Sequence, residues 1–69
     1  MTNNVRLLRF SRRIMRQAEL GRRVGLTRHT IAAIEQGRYS PSLAVGFRIA
    51  HVFGKRVDEV FHWQPTEPS

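Results

Sequence analysis

Three consecutive side chains, Arg28, His29 and Thr30, carry hydrogen-bonding groups that suit the edges of nucleic-acid bases. An arginine fork can donate to guanine O6 and N7, and a histidine ring can bond a purine N7. A threonine can contact a thymine methyl group, and Ala33 would add a small apolar contact about one turn later. These residue types at this spacing predict a helix that reads bases in a major groove.

The residues that flank this triplet indicate how it is positioned. Gly25 predicts a left-handed end to a helix over about residues 17–24. Thr27 is a good N-cap for the next helix, over about residues 28–36. Gly21 is small enough for two helices to cross closely beside the turn. The stretch therefore predicts a helix-turn-helix motif.

Three more helices are predicted around this pair, and no stretch shows the alternation typical of strands. The first spans about residues 4–13, the fourth about 41–53 and the fifth about 57–62. Residues 1–62 are expected to form one all-α domain, a compact bundle of five short helices. Residues 63–69, with two prolines, are expected to be a C-terminal tail.

The fourth helix allows specific expectations about its start and its buried face. Ser40 is placed to cap it, with Pro41 at the first helical position, where proline is favoured. Apolar residues then recur at spacings of four, three and three, which predicts a stripe that packs into the core. The stripe consists of Leu43, Phe47, Ala50 and Phe53.

The net charge of +7 is concentrated in one half of the chain. Residues 1–38 hold nine arginines against two glutamates, whereas residues 39–69 hold three basic and three acidic residues. Two interpretations are open on charge alone: a surface that binds a polyanion, or one that only keeps the chain in solution. The uneven distribution favours the polyanion, because a solubilising surface would mix both signs.

Several classes of site are excluded by composition. The chain has no cysteine, so disulfides and thiolate metal sites are ruled out. Its three histidines are too far apart to suggest a metal site, and no Ser-His-Asp order suggests catalysis. The apolar residues are too dispersed for a signal peptide or a membrane span. We therefore expect a cytoplasmic, nucleoid-associated protein that is not an enzyme and has no cofactor, metal, membrane or small-molecule ligand.

The order of these segments resembles the phage-repressor/Cro-like (XRE-type) helix-turn-helix family over about residues 5–62. The resemblance is carried by RQAELG at 16–21, VGLT at 24–27, IAAIEQG at 31–37, YSPSL at 39–43, IAHVFG at 49–54 and VDEVF at 57–61. It implies a lambda-repressor-like fold and a transcriptional regulator that binds double-stranded DNA.

The resemblance also implies roles for individual residues. It assigns base contacts to Arg28, His29, Thr30 and Ala33. It assigns phosphate contacts to Arg16, Gln17, Thr27, Arg38 and Ser40. Glu35 matches a buried acid that pairs with an arginine of the first helix; the candidates are Arg9, Arg12 and Arg13. Two departures stand out: Gly21 replaces the usual alanine, and Lys55 with Arg56 leaves the fifth helix without its usual serine cap.

Apolar residues near the end of the chain predict an interface. Val57, Val60, Phe61 and Trp63 supply more apolar surface than a monomer of this size easily hides. Trp63 is interpreted either as a lid on the core or as a dimer anchor, and the anchor is favoured. The leading hypothesis is a homodimeric repressor on a two-fold operator. The alternative is an antitoxin or controller-type subunit that binds a partner protein as well as DNA.

Overall fold

This computed structural model describes residues 1–11 and 15–63, which form five helices and a pair of short strands joined by turns and loops. In chain order they are β1 (Thr2–Asn3), α1 (Val5–Ser11), α2 (Gln17–Val24), α3 (Arg28–Glu35), α4 (Leu43–Val52), α5 (Val57–Val60) and β2 (Phe61–His62). The fold is the predicted all-α bundle of five helices, with the strand pair as an addition. None of these helices is long and apolar enough to cross a membrane.

All five helices contribute to a single apolar core. Its buried side chains, each at most 2% exposed, are Val5, Leu20, Val24, Ile31, Ile34, Ile49, Ala50, Phe53 and Val60. Leu20 and Val24 of α2 are one turn apart, as are Ile31 and Ile34 of α3, so each helix buries one face. The shared core fixes the angle between α2 and α3.

The predicted start and buried face of α4 were both partly wrong. Ser42 is the N-cap, and its hydroxyl accepts a hydrogen bond of 3.2 Å from the Val45 amide, so the helix begins after Pro41 rather than at it. Leu43 and Phe47 are 72% and 55% exposed, whereas the core is reached by Gly46, Ile49, Ala50 and Phe53. Because α4 is apolar on several sides, its spacing fits two stripes equally well.

The chain after Val60 is extended rather than helical, which corrects the predicted end of the fifth helix. Phe61 and His62 pair antiparallel with Asn3 and Thr2. The Asn4 amide also donates to the Val60 carbonyl at 2.8 Å. Strands of two residues are too short to show an alternating pattern, so this pairing could not be predicted from the sequence.

The start of α5 has a cap from within the helix. Arg56 provides no side-chain acceptor, as expected for a position that lacks serine. The Glu59 carboxylate instead accepts a hydrogen bond of 2.8 Å from the Arg56 amide. Asp58 and Glu59 both lie in the first turn, where the helix dipole favours negative charge.

Candidate nucleic-acid interface

The turn between α2 and α3 has the geometry that the sequence predicts. Gly25 has φ of 81°, a left-handed conformation that costs other residues more than glycine. The amides of Gly25 and Leu26 both donate to the Gly21 carbonyl, at 2.8 Å for Leu26. Leu26 is half-buried against the core. These contacts fix the orientation of α3 relative to α2.

Gly21 is required by the close approach of the turn. A Cβ atom at this position would lie 2.4 Å from the Leu26 carbonyl oxygen. That oxygen belongs to the backbone and cannot swing aside as a flexible side chain would. The alanine that the family resemblance leads one to expect therefore does not fit here without a shift of the turn.

The first turn of α3 displays the predicted base-reading residues. Thr27 caps the helix, since its hydroxyl accepts from the Thr30 amide at 3.2 Å. The two threonine hydroxyls also lie 3.0 Å apart, so the Thr30 hydroxyl is oriented by the cap. Arg28 and His29 are exposed and make no hydrogen bond or ion pair with the described residues. As far as the described part of the chain is concerned, their side-chain donors and acceptors are available to another molecule.

The second turn of α3 presents little functional surface. Ala32 and Ala33 are half-buried, and their side chains end at Cβ. The helix ends at Glu35, and the Arg38 amide donates back to the Ala33 carbonyl at 2.9 Å. Among the residues predicted to contact bases, those with hydrogen-bonding side chains therefore all lie in the first turn.

The predicted phosphate-contacting residues differ in availability. Arg16, Arg38 and Ser40 are exposed, and Arg38 donates to the Gln36 side chain at 3.2 Å. Gln17 is half-buried, and its amide nitrogen donates to Glu35 at 3.0 Å. One of its two N–H groups is thus used inside the protein, which orients the side chain at the start of α2.

A buried ion pair joins α1 to α3 and identifies the partner of Glu35 as Arg9. The Arg9 Nε–Glu35 Oε2 distance is 2.5 Å and the Nη2–Oε1 distance is 3.0 Å. The two side chains are 8% and 5% exposed. The remaining Nη1 donates to the Met15 carbonyl at 2.8 Å. The other two candidates, Arg12 and Arg13, lie outside the described residues.

The basic character of α2 is partly neutralised by its own acid. The Glu19 carboxylate pairs with Arg23 at 2.9 Å and also with Arg22. Hydrogen bonds from Arg23 and then Arg22 hold the pKa of Glu19 below its ordinary value. Glu19 therefore stays ionised at neutral pH, and these two arginines contribute less to the basic surface than Arg16 or Arg28.

Comparison with known proteins agrees with this geometry. A family model described as helix-turn-helix matches residues 6–60, which covers all five helices apart from the first residue of α1. This chain belongs to the XRE-type helix-turn-helix family. The family consists of DNA-binding transcriptional regulators, which are generally not enzymes.

Relatives of this family member occur in bacteria and archaea. The uncharacterised HTH-type transcriptional regulator YgzD of Bacillus subtilis is 44% identical over 67 residues, covering 97% of this chain and 98% of that protein. An uncharacterised HTH-type transcriptional regulator of Methanocaldococcus jannaschii is 41% identical over 51 residues, covering 74% and 77%. One from Methanothermobacter thermautotrophicus is 52% identical over 46 residues, covering 65% and 67%.

The predicted dimer residues of this helix-turn-helix protein are not equally exposed. Val60 is completely buried in the core, so its assignment to an interface was wrong. Val57 and Phe61 are half-buried, and Trp63 is 72% exposed. Trp63 is therefore not a lid on the core of this chain.

Two exposed apolar residues, Leu43 and Phe47, were predicted to lie in the core and were therefore not expected at an interface. Leu43 lies about one turn before Gly46 and Phe47 directly after it, so both are next to the position where Val57 and Phe61 pack: a Cβ at Gly46 would meet the Val57 and Phe61 side chains at 3.6 and 3.8 Å. The outer side of α4 is thus continuous with the predicted interface residues. We call Leu43, Phe47, Phe61 and Trp63 the α4–β2 face.

Proposed function

We propose that this chain is a homodimeric transcriptional repressor that reads a two-fold operator with α3 in the major groove of each half-site. One observation carries the proposal: Arg28 and His29 are exposed, without a hydrogen-bond or ion-pair partner in residues 1–11 and 15–63, at the start of a helix whose orientation is fixed by its turn. An arginine so placed suits a guanine edge, and the capping Thr27 leaves the helix start open toward a phosphate.

The proposed homodimer rests on the α4–β2 face. Leu43 and Trp63 are each 72% exposed and Phe47 is 55% exposed, and an apolar patch that is left open in this way suits a protein–protein interface. A two-fold interface brings the same patch of each subunit together. The two copies of α3 would then face successive major grooves, about 10 base pairs apart.

Selection of bound sequences from random duplex DNA tests the reading function. The expected outcome is a symmetric motif with two half-sites centred about 10 base pairs apart. Guanine is expected among the enriched bases of each half-site because Arg28 is the strongest direct reader. Recovery of unrelated sequences, with no shared motif, would contradict sequence-specific reading.

The direction of regulation is tested separately with a reporter gene. An operator placed across a promoter is expected to give lower expression when the protein is present, because the bound dimer blocks polymerase. The Arg28→Ala variant, produced at the same level, is the control and should restore expression. Higher expression with the wild-type protein would show an activator instead.

A further inference from the structure

Phe10 of α1 is an aromatic residue outside the core. It is 50% exposed, and the guanidinium carbons of Arg6 and Arg9 lie 5.8 and 5.2 Å from its ring centroid. Cations at this distance are attracted to an aromatic ring, so the ring has guanidinium groups among its neighbours. Phe10 therefore presents an aromatic ring at the protein surface with cationic side chains beside it.

The ring of Phe10 lines two clefts that both lie beside α3. One, of about 290 Å³, is also lined by Ala32 and Gln36, and the other, of about 430 Å³, by Arg16 and Arg28. Arg28, Ala32 and Gln36 are spaced four apart, so they follow one flank of the α3 helix. Phe10 therefore stands next to the same flank as the first base-reading residue.

With α3 in a major groove, the position of Phe10 beside this helix would bring its ring close to the sugar–phosphate backbone. The groove is about 12 Å wide and admits one helix, so groups along the flank of that helix approach the sugar–phosphate backbone. A deoxyribose presents mainly C–H groups, which pack well against the face of an aromatic ring. No carboxylate in residues 1–11 and 15–63 pairs with Arg6, so its guanidinium is free for a phosphate.

We propose that Phe10 and Arg6 form a DNA-backbone contact in addition to those assigned above, with the ring against a deoxyribose and the guanidinium on the adjoining phosphate. The inference rests on the proposed docking of α3 in the major groove. It assigns α1 a direct part in DNA affinity. Because backbone contacts carry no sequence information themselves, it should change affinity and not preference.

A pair of variants with equal charge tests this contact. Phe10→Glu places a carboxylate at the proposed backbone site, and Leu7→Glu places one at a 68% exposed position of the same helix. Both are titrated by fluorescence anisotropy against the selected duplex and a scrambled one. We expect Phe10→Glu to raise Kd at least tenfold on both duplexes, and Leu7→Glu to raise it less than threefold. Equal losses would overturn the proposal, since net charge alone would explain them.

Two less disruptive variants keep the proposal testable if a glutamate variant does not fold. Phe10→Ala is expected to raise Kd three- to tenfold on both duplexes. Arg6→Gln is expected to reduce the slope of log affinity against log salt by about one phosphate, roughly 0.9. Circular dichroism at the assay temperature establishes that each variant is folded. An unchanged Kd for folded Phe10→Ala, or an unchanged salt slope for Arg6→Gln, would overturn the contact.

These outcomes can be separated from those of the proposed function. Sequence preference is measured by the ratio of Kd values on the two duplexes, and its absence would overturn the reading function. The comparison of Phe10→Glu with Leu7→Glu can still be made on any duplex. A wild-type protein that prefers its selected site, with no difference between the two glutamate variants, would retain the proposed function and reject the contact.

Discussion

Arg28 is the residue on which sequence preference should depend most. Its guanidinium is exposed at the first position of α3 and has no partner among the described residues. We expect Arg28→Ala to cost about 1–3 kcal/mol on the preferred duplex and to relax the preference for it. Anisotropy titrations against preferred and scrambled duplexes measure both effects. Arg22→Ala is the control, because it removes the same charge from an exposed arginine that pairs with Glu19. An equal loss on both duplexes would mean that Arg28 contacts only phosphate.

Gly21 and Gly46 are helical glycines with opposite surroundings. Alanine is favoured over glycine in a helix by about 1 kcal/mol, so propensity alone predicts that both replacements stabilise. At position 21 a Cβ would be 2.4 Å from a backbone oxygen, whereas at position 46 it would meet two side chains at 3.6 and 3.8 Å, ordinary contact distances. Overpacking typically costs about 1–3 kcal/mol.

We therefore expect Gly21→Ala to lower the free energy of unfolding by about 1 kcal/mol and Gly46→Ala to raise it by up to about 1 kcal/mol. For a domain of this size each would shift Tm by about 4–8 °C per kcal/mol. Thermal melts followed by circular dichroism measure both. A Gly21→Ala protein as stable as wild type would show that the turn can move to accept the methyl group.

Among the elements, α1 is tied to α3 by one buried polar contact. Removing a single partner of a buried ion pair leaves an uncompensated charge and costs about 3–5 kcal/mol. We expect Glu35→Gln to destabilise the protein by about 3 kcal/mol, because Arg9 then lacks its counter-charge. The double variant Arg9→Met/Glu35→Met should be more stable than Glu35→Gln. Urea unfolding of the variants measures this coupling. The single variants Arg9→Met and Glu35→Met complete the comparison. If the double variant loses as much free energy of unfolding as these two lose in total, the pair is not energetically coupled.

The elements also show which parts of the fold the sequence could predict. The bounds of α2, the left-handed Gly25 and the Thr27 cap were confirmed, because each depends on local backbone chemistry. The buried face of α4 was not predictable in this way, since it depends on which neighbour packs against an all-round apolar helix. The strand pair joins residues far apart in the chain and has no local signal.

In the candidate site, too, features with local causes could be predicted and those with long-range causes could not. The exposure of Arg28 and His29 follows from a helix whose other side carries Ile31 and Ile34. Arg9 lies four residues after the core residue Val5, which favours it as the partner of Glu35. Arg12 lies seven residues after Val5 and has a core-facing spacing too. The contact that identifies Arg9 as the partner is a long-range one and was visible only in the folded chain.

For the whole molecule, the α4–β2 face determines the expected assembly. Truncating an aromatic anchor in an interface typically costs 2 kcal/mol or more, about 30-fold in affinity. We expect Trp63→Ser and Leu43→Ser each to raise the dimer dissociation constant at least tenfold in sedimentation equilibrium. Leu7→Ser, at a residue 68% exposed on α1, is the control and should leave it unchanged. An unaltered dimer in both face variants would place the interface elsewhere.

The pairing of β1 with β2 has a consequence for the order in which the protein folds and opens. Its partners are about 60 residues apart, so a loop of nearly the whole described chain must close before it forms. The α2–α3 pair closes a far shorter loop. Asn3 also donates to the Ile34 carbonyl at 2.8 Å, so separation of the strands removes a hydrogen bond from the end of α3. Among the hydrogen-bonded amides of residues 1–11 and 15–63, exchange should therefore be faster in β1, β2 and the last turn of α3 than in the middle of the α2–α3 pair.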